Sequence, residues 1–219
     1  MNQAMIKLLA DGVVETLYMV LVSSAVSYAI GIPLGVLVYI TDKGGICQNR
    51  VINFVIGGII NLVRSVPFLI LLVAILPFTR LVVGTTIGST ATIVPLVVAA
   101  APYVARMVES SLKEVDSGVI EAAHAMGSSS FQIIYKVLLP EAKPSLIVGV
   151  TISLATILGY SAMAGFVGGG GLGAIATNYG YYRYDSKTML ITVALLVIIV
   201  QLFQEGGLRL VHRIDKRIK

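Results

Sequence analysis

The chain has 219 residues, of which 57% are hydrophobic and only 12% charged, and its mean hydropathy is +0.92. A soluble core of this size needs more polar surface to cover it, so the composition excludes an ordinary soluble domain and points to a membrane protein. The net charge of +5 sits at the ends of apolar runs, with no basic strip interleaved with aromatics, which argues for orientation in a bilayer and against nucleic-acid binding; the single cysteine, Cys47, excludes an internal disulfide.

Taken in order, Met1 to Gly12 is weakly polar, and an apolar run follows from about Val13 to Ile40. The run is too long for the core of a cleavable signal and lacks a small-x-small exit, so it reads as an uncleaved first span. Within it, Gly31-Ile-Pro-Leu-Gly35 matches the small-xxx-small pattern of a close helix contact, although Pro33 weakens the match. The loop Thr41 to Arg50 is polar and turns at Gly44-Gly45. A second span from Val51 to about Phe78 is broken by Arg64-Ser65-Val66-Pro67. A charge at mid-bilayer costs roughly 2.5–3.5 kcal/mol. The chain avoids this if Val51–Val63 lies partly in the interface and Arg64 snorkels or pairs near the surface, the alternative being that Arg64 faces a translocation path.

Pro77 to Ser89 reads as a short connection, and Thr90 to about Val108 as a third span with kinks expected at Pro95 and Pro102. A fourth span runs from about Ser145 to Phe166, and a last from about Thr188 to Phe203, before a basic tail from Arg209 to Lys219. Between these two spans, Gly168-x-Gly170-x-x-Gly173 fits a dinucleotide fingerprint in letters alone, because a membrane span precedes it rather than a soluble strand. Its glycines read instead as letting the backbone fold tightly, or move, at the outer surface. Tyr179, Tyr181, Tyr182 and Tyr184 read as an interfacial aromatic belt, with contact to an external protein as the alternative.

The longest polar interruption, DSGVIEAAHAMGSSSFQIIYKVLLPEAKP from Asp116 to Pro144, is patterned. Ser117 is expected to cap a helix with the face Val119, Ala122, Ala123 and Met126, and Gly127 to stop it in the left-handed conformation. Ser129-Ser130-Phe131-Gln132 is a capping-box pattern opening a second helix, which Pro140 is expected to end, with Pro144 in the first turn of the next span. Two short capped helices between spans form a docking surface, the plainer alternative being an amphipathic helix lying on the membrane.

Glu121-Ala122-Ala123, Gly127 and Val137-x-Leu139-Pro140 resemble the EAA signature of membrane subunits of bacterial ABC importers, with valine at 137 where isoleucine is commoner. Arg64–Ile70, Pro77–Gly84, Ala101–Arg106 and Gly159–Met163 followed by Gly168–Gly173 resemble the methionine-uptake branch of these permeases, a likeness that covers nearly the whole chain. The resemblance implies an all-α polytopic membrane protein of the type I importer kind. It would have five transmembrane helices in a single permease domain spanning residues 1–219, and a cytoplasmic two-helix coupling loop at about 109–144. Glu121, Ala122, Ala123, Gly127, Leu139 and Pro140 would couple to an ATPase, Glu121 as a buried carboxylate accepting hydrogen bonds. Partners would be a second copy of the chain, two ABC ATPase subunits, an external substrate-binding lipoprotein and membrane lipid, with no nucleic acid. No cofactor binds this chain; ATP and Mg sit on the partner ATPase. Substrate, most directly methionine (L- and/or D-) but alternatively another amino acid or small solute, would pass by alternating access between two copies. Tyr160, Ser161 and Met163 are the candidate path residues, the methionine equally readable as packing.

Five spans place the two ends on opposite sides. One side carries Lys43, Arg50, Arg106, Lys113, Lys136, Lys143, Arg209, Arg213, Lys216, Arg217 and Lys219, the other only Lys7, Arg80, Arg183 and Lys187. The positive-inside rule therefore puts the Asp116–Pro144 stretch and the C-terminus in the cytoplasm and the N-terminus outside, in a bacterial inner membrane. The sequence has no G-x-x-x-x-G-K-[ST], and neither His124 nor His212 belongs to a metal motif, so the chain reads as non-catalytic and its motor as a separate subunit. An ion-coupled secondary transporter, the rival from another class, needs a carboxylate within a span or an inverted repeat. Glu15 and Glu205 read as lying at span ends. A structural subunit whose loop is only an assembly contact is the third reading.

Overall fold

The computed structural model describes residues 3–214, with side chains through Arg213. Met1 and the tail residues Lys216, Arg217 and Lys219, counted above, lie outside the described residues. Every regular element among the described residues is helical: α1 (Gln3–Thr41), α2 (Arg50–Arg64), α3 (Phe68–Ala74), α4 (Leu76–Val83), α5 (Ser89–Lys113), α6 (Ser117–Ala125), α7 (Ser130–Ile133), α8 (Leu139–Glu141), α9 (Lys143–Ala164), α10 (Gly171–Ile175) and α11 (Ser186–Ile214), with wider π-type turns at Ile134–Leu138 and Ala176–Tyr181 and a tighter 3-10 turn at Gly165–Val167. Four helices are long and apolar enough to cross a membrane, and the bent pair α2 and α3 makes a fifth span if taken as one.

The helices outrun the expected spans. At 1.5 Å per residue the 39-residue α1 is about 58 Å long against a hydrocarbon thickness of about 30 Å, so its ends extend well beyond the apolar layer. Glu15 and Glu205, expected at span ends, consequently sit inside α1 and α11. α5 is one continuous helix that includes both Pro95 and Pro102. The Pro77–Ser89 connection contains a helix: Pro77 falls in the first turn of α4, where its missing N–H is harmless, and Gly84 closes it at φ +82°.

The chain forms two compact units. The first combines residues up to Ser27 with Val66–Ala100 and Ser153–Glu205, around a core that includes Met19, Val20, Leu96, Ile157 and Leu172. The second combines Tyr28–Ser65, Ala101–Ile152 and the chain from Gly206. Its core holds Val104, Val108, Leu112, Ala123, Ile133 and Leu138, with a smaller cluster of Val38, Ile60 and Ala105. In this second unit a Cβ on Gly31 would collide with Val104 and one on Gly35 with Val108, so the small-xxx-small pattern does mark a close approach of α1 to α5.

Candidate functional site

The Asp116–Pro144 stretch folds as a rigid bracket within the second unit. Asp116, rather than Ser117, caps α6, its Oδ1 accepting the Gly118 N–H at 2.8 Å. Aspartate in the cap position presents a carboxylate to the unpaired amides of the first turn, which favours it over the adjacent serine. At the far end Gly127 (φ +76°) donates to His124 O and Ser128 to Ala123 O, the paired bonds of a Schellman stop. Ser129 and Gln132 then form the expected reciprocal box: the Ser129 N–H donates to Gln132 Oε1 at 2.8 Å and the Gln132 N–H to Ser129 Oγ at 3.4 Å.

Other expectations for this stretch change as well. Pro140 does not end the second helix. Residues Ile134–Leu138 form a widened turn in which the Leu139 N–H donates to Ile134 O, and the chain continues helically through Pro140 into α8. The α6 face divides: Ala123 is buried and Ile120 half-buried in the second unit's core, while Val119, Ala122 and Met126 are exposed. Glu121 is exposed as well, not buried, with no ion pair among the described residues. Of the other signature residues, Gly127 and Pro140 are exposed and Leu139 half-buried. Met126 (79% exposed), Phe131 (75%) and Tyr135 (66%) crown the bracket, the last two rings stacked with centroids 6.4 Å apart. These large apolar groups are held outward on a capped, hydrogen-bonded scaffold.

The same unit holds a charge relay not singled out from the sequence. Glu109, buried on α5, accepts from Arg106 through one carboxylate oxygen and from Lys113 Nζ at 2.7 Å through the other. Arg106 also donates to Gly57 O and to Asn61 Oδ1 of α2, at 3.3 and 2.9 Å, and Lys113 reaches Asp42 at 3.3 Å. The Lys43 backbone N–H, and secondarily Lys113, hold the Asp42 carboxyl below the usual carboxylate range. The spacing Arg106-x-x-Glu109-x-x-x-Lys113, which puts three charges on one helix face, was the available signal.

In the first unit the glycine run is a folded, polar-anchored element. Gly168, Gly170 and Gly171 have positive φ, and a Cβ on Gly165 would collide with the backbone of Gly173 and Ala174. From α1, Glu15 accepts the Gly171 N–H at 2.7 Å and Thr16 Oγ1 accepts the Leu172 N–H at 2.9 Å. Thr92 of α5 donates to Gly169 O at 3.1 Å, and the N–H of Gly88, just before that helix, to Gly168 O at 2.9 Å. Glu15 therefore holds backbone, which leaves it poorly suited to ion coupling. Of the path candidates, Tyr160 is half-buried and stacks on Phe68 at 4.5 Å, and Met163 is exposed. Ser161 is buried and its hydroxyl donates to Leu158 O of its own helix, so it opens onto no surface of this chain. Arg64 is exposed, and so are Tyr181, Tyr182 and Tyr184, while Arg183 lies over the half-buried Tyr179 ring at 4.4 Å.

Apolar helices of spanning length, a polar-anchored glycine element and a bracket with apolar groups turned outward define a polytopic membrane protein. The chain belongs to the family of binding-protein-dependent transport system inner membrane components, whose family model matches residues 31–219. It is 54% identical over 203 residues to the probable D-methionine transport system permease protein MetI of Vibrio cholerae, covering 93% of this chain and 90% of that protein. Against the D-methionine transport system permease protein MetI of Escherichia coli K12 it is 52% identical over 165 residues, 75% of this chain and 76% of that one. A solved structure of the MetNI methionine ABC transporter in an inward-facing conformation matches with a TM-score of 0.97 at 50% identity, covering 99% of this chain and all of that one. An amino acid ABC transporter solved with histidines matches at 20% identity with a TM-score of 0.78 and shares the fold.

Proposed function

We propose that this chain is the membrane subunit of an ATP-driven methionine importer, working as a permease domain over its whole length. It is itself non-catalytic, and nucleotide, with Mg, is bound and hydrolysed by a partner ATPase. The 54% identity to a D-methionine permease over 93% of the chain is the observation that carries the substrate assignment. The outward-facing bracket carries the coupling assignment: Glu121, Ala122 and Gly127 are exposed beside Met126, Phe131 and Tyr135, where a partner surface can approach the short side chains closely. Ala123 and Leu139 tie the bracket to the core, and Pro140 sets its backbone path.

In this reading two copies of the chain enclose the substrate path and two ATPase subunits grip the brackets from the cytoplasm. A lipid-anchored binding protein delivers substrate on the other side. The excess of Lys and Arg on the bracket side orients the chain in a bacterial inner membrane, N-terminus outside and C-terminus inside. ATP-driven closure of the motors moves the brackets and switches the path between inward and outward access. Met163, exposed on α9, is the side chain best placed to line that path, with Tyr160 steadied beside it by Phe68; Ser161 supports the helix from within. The test is uptake of labelled methionine into proteoliposomes carrying the chain, its ATPase and the binding protein, with unlabelled amino acids as competitors. ATP-dependent uptake displaced best by methionine is expected. Uptake that persists without the ATPase, or that another amino acid displaces better, overturns the reading.

A further inference from the structure

A threonine inside a helix can return its hydroxyl proton to the carbonyl four residues earlier. Thr16, Thr41, Thr92, Thr151, Thr177 and Thr192 all do so. Thr79 on α4 does not. It is 1% exposed, yet its hydroxyl has no hydrogen-bond partner among the described residues. The residue lines a small pocket whose wall also includes Thr86, Ala91, Thr92, Pro95 and Gly169, with about 10 Å³ of room for the centre of a water molecule. That is about what a single water needs. A second deficit lies in the same wall. Pro95 has no N–H, so the carbonyl of Ala91, four residues earlier on α5, loses its usual donor. Ala91 is also 1% exposed, out of reach of bulk solvent. Thr92 supplies a third group. Its hydroxyl proton is shared between Gly88 O at 2.9 Å and Gly169 O at 3.1 Å, which leaves the oxygen free to accept.

The geometry points to a binding site for one ordered water: the Thr79 hydroxyl donates to it, and its two protons go to the Ala91 carbonyl and the Thr92 hydroxyl oxygen. Three bonds are the usual complement of a buried water. In membrane helices, ordered water is one of the means by which a carbonyl freed by proline is satisfied again. A cation does not suit the pocket, because no carboxylate lines it, and an apolar occupant leaves both the Thr79 hydroxyl and the Ala91 carbonyl unpaired. The water ties α4 to α5 where Pro95 opens the helix ladder and, through Thr92, to the glycine element at Gly169. Neither the substrate nor the ATPase enters this argument, so the site stands or falls apart from the importer reading.

The experiment has two arms on the full-length chain. A density map at a resolution that shows ordered water is expected to carry a peak within about 3.2 Å of both Thr79 Oγ1 and Ala91 O, absent from the map of Thr79→Val. The second arm is equilibrium unfolding in mixed detergent micelles, where the sign decides. Valine keeps the branched shape and removes the hydroxyl. With no water at the site, valine removes an unpaired polar group and the variant gains stability. With the water present, valine strands it and the Ala91 carbonyl, and the unfolding equilibrium constant is expected to rise about tenfold. Pro95→Ala restores an N–H for Ala91, so in that background Thr79→Val is expected to change the constant by less than about threefold. A wild-type map without the peak, a Thr79→Val variant at least as stable as wild type, or the same loss in both backgrounds would each overturn the site. Should Pro95→Ala assemble poorly, Thr79→Ser, which keeps the hydroxyl, is expected to retain the peak, and its loss there counts against the site too.

Discussion

Replacing Glu109 by leucine tests whether the charge relay holds the second unit together. The Glu109 carboxylate is 7% exposed and Arg106 25%, so this pair is largely out of water, whereas Lys113 is half exposed. Stranding one member of a buried pair costs about 3–5 kcal/mol. Arg106 keeps Gly57 O and Asn61 Oδ1, which recovers part of that, and the half-exposed Lys113 contact adds only a few tenths of a kcal/mol. A net loss of about 2–3 kcal/mol is expected for Glu109→Leu. Removing both charges in Arg106→Met/Glu109→Leu leaves nothing stranded, so the double variant is expected to be more stable than Glu109→Leu alone by about 1–2 kcal/mol. Equilibrium unfolding of the purified chain in mixed detergent micelles, read by tyrosine fluorescence, measures all four corners of the cycle. A Glu109→Leu change below about 0.5 kcal/mol, or strict additivity of the two substitutions, refutes the reasoning, because a pair that couples this weakly is not excluded from solvent.

Gly165→Val drives side-chain carbon into the backbone at Gly173 and Ala174, which has no rotamer with which to yield; a loss at or above about 3 kcal/mol is expected, seen as aggregation on size-exclusion chromatography, while a monodisperse variant of unchanged stability sinks the close-packing argument. Gly127→Val must hold φ +76° with a branched side chain at roughly 1–2 kcal/mol or more, confined to an exposed turn, so membrane insertion should persist while ATP-driven uptake falls; normal uptake contradicts the coupling role. Asp185 accepts from the Thr188 hydroxyl, the Thr188 N–H and the Lys187 N–H at the start of α11, which holds its carboxyl below the usual range. Its stabilisation of that helix start is therefore present above the unfolded value of about 3.9 and lost as pH falls through the lower folded value, so intrinsic-rate-corrected exchange of the 187 and 188 amides should quicken on going from about pH 6 to about pH 3 in the wild type but not in Asp185→Asn.

The spans and the bracket were legible because their signals are local. Hydropathy over twenty residues marks a span, and Gly127 with Ser129 and Gln132 carries its own turn chemistry, which the structure reproduces bond for bond. Helix ends were less legible: α1 and α11 continue past the apolar runs into polar residues, since a helix once nucleated propagates through any good former and composition marks the bilayer rather than the helix. Which members of the α6 stripe turn inward was not legible: Val119, Ala122, Ala123 and Met126 share one helical stripe, yet only Ala123 is buried, and one chain's periodicity carries no mark of that division. Long-range pairings left no trace either. Glu15 and Gly171 are 156 residues apart, and only folding reveals that a carboxylate inside α1 is engaged by backbone amide.

Pro140 shows how the bracket stays stiff where the sequence pointed to a stop. In a regular helix its ring would collide with the carbonyl of Lys136 and its missing N–H would leave that carbonyl unpaired, a penalty of about 3 kcal/mol. Widening the turn over Ile134–Leu138 moves the strain into a change of hydrogen-bond register, the Leu139 N–H passing over one residue to reach Ile134 O. Helical bonding then resumes, Ala142 donating to Leu138 O and Leu146 to Ala142 O, both at 2.9 Å, so the path from the Ser129 cap into α9 has no slack loop. A load placed on Phe131 or Tyr135 is therefore transmitted along hydrogen-bonded backbone. In the proposed coupling role the signature residues would act mainly through shape: Ala122 by its small size, Gly127 by its φ, Leu139 and Pro140 by setting the widened turn. Shape rather than reactivity is what a mechanical joint demands, and it explains why only one signature residue, Glu121, carries a charge.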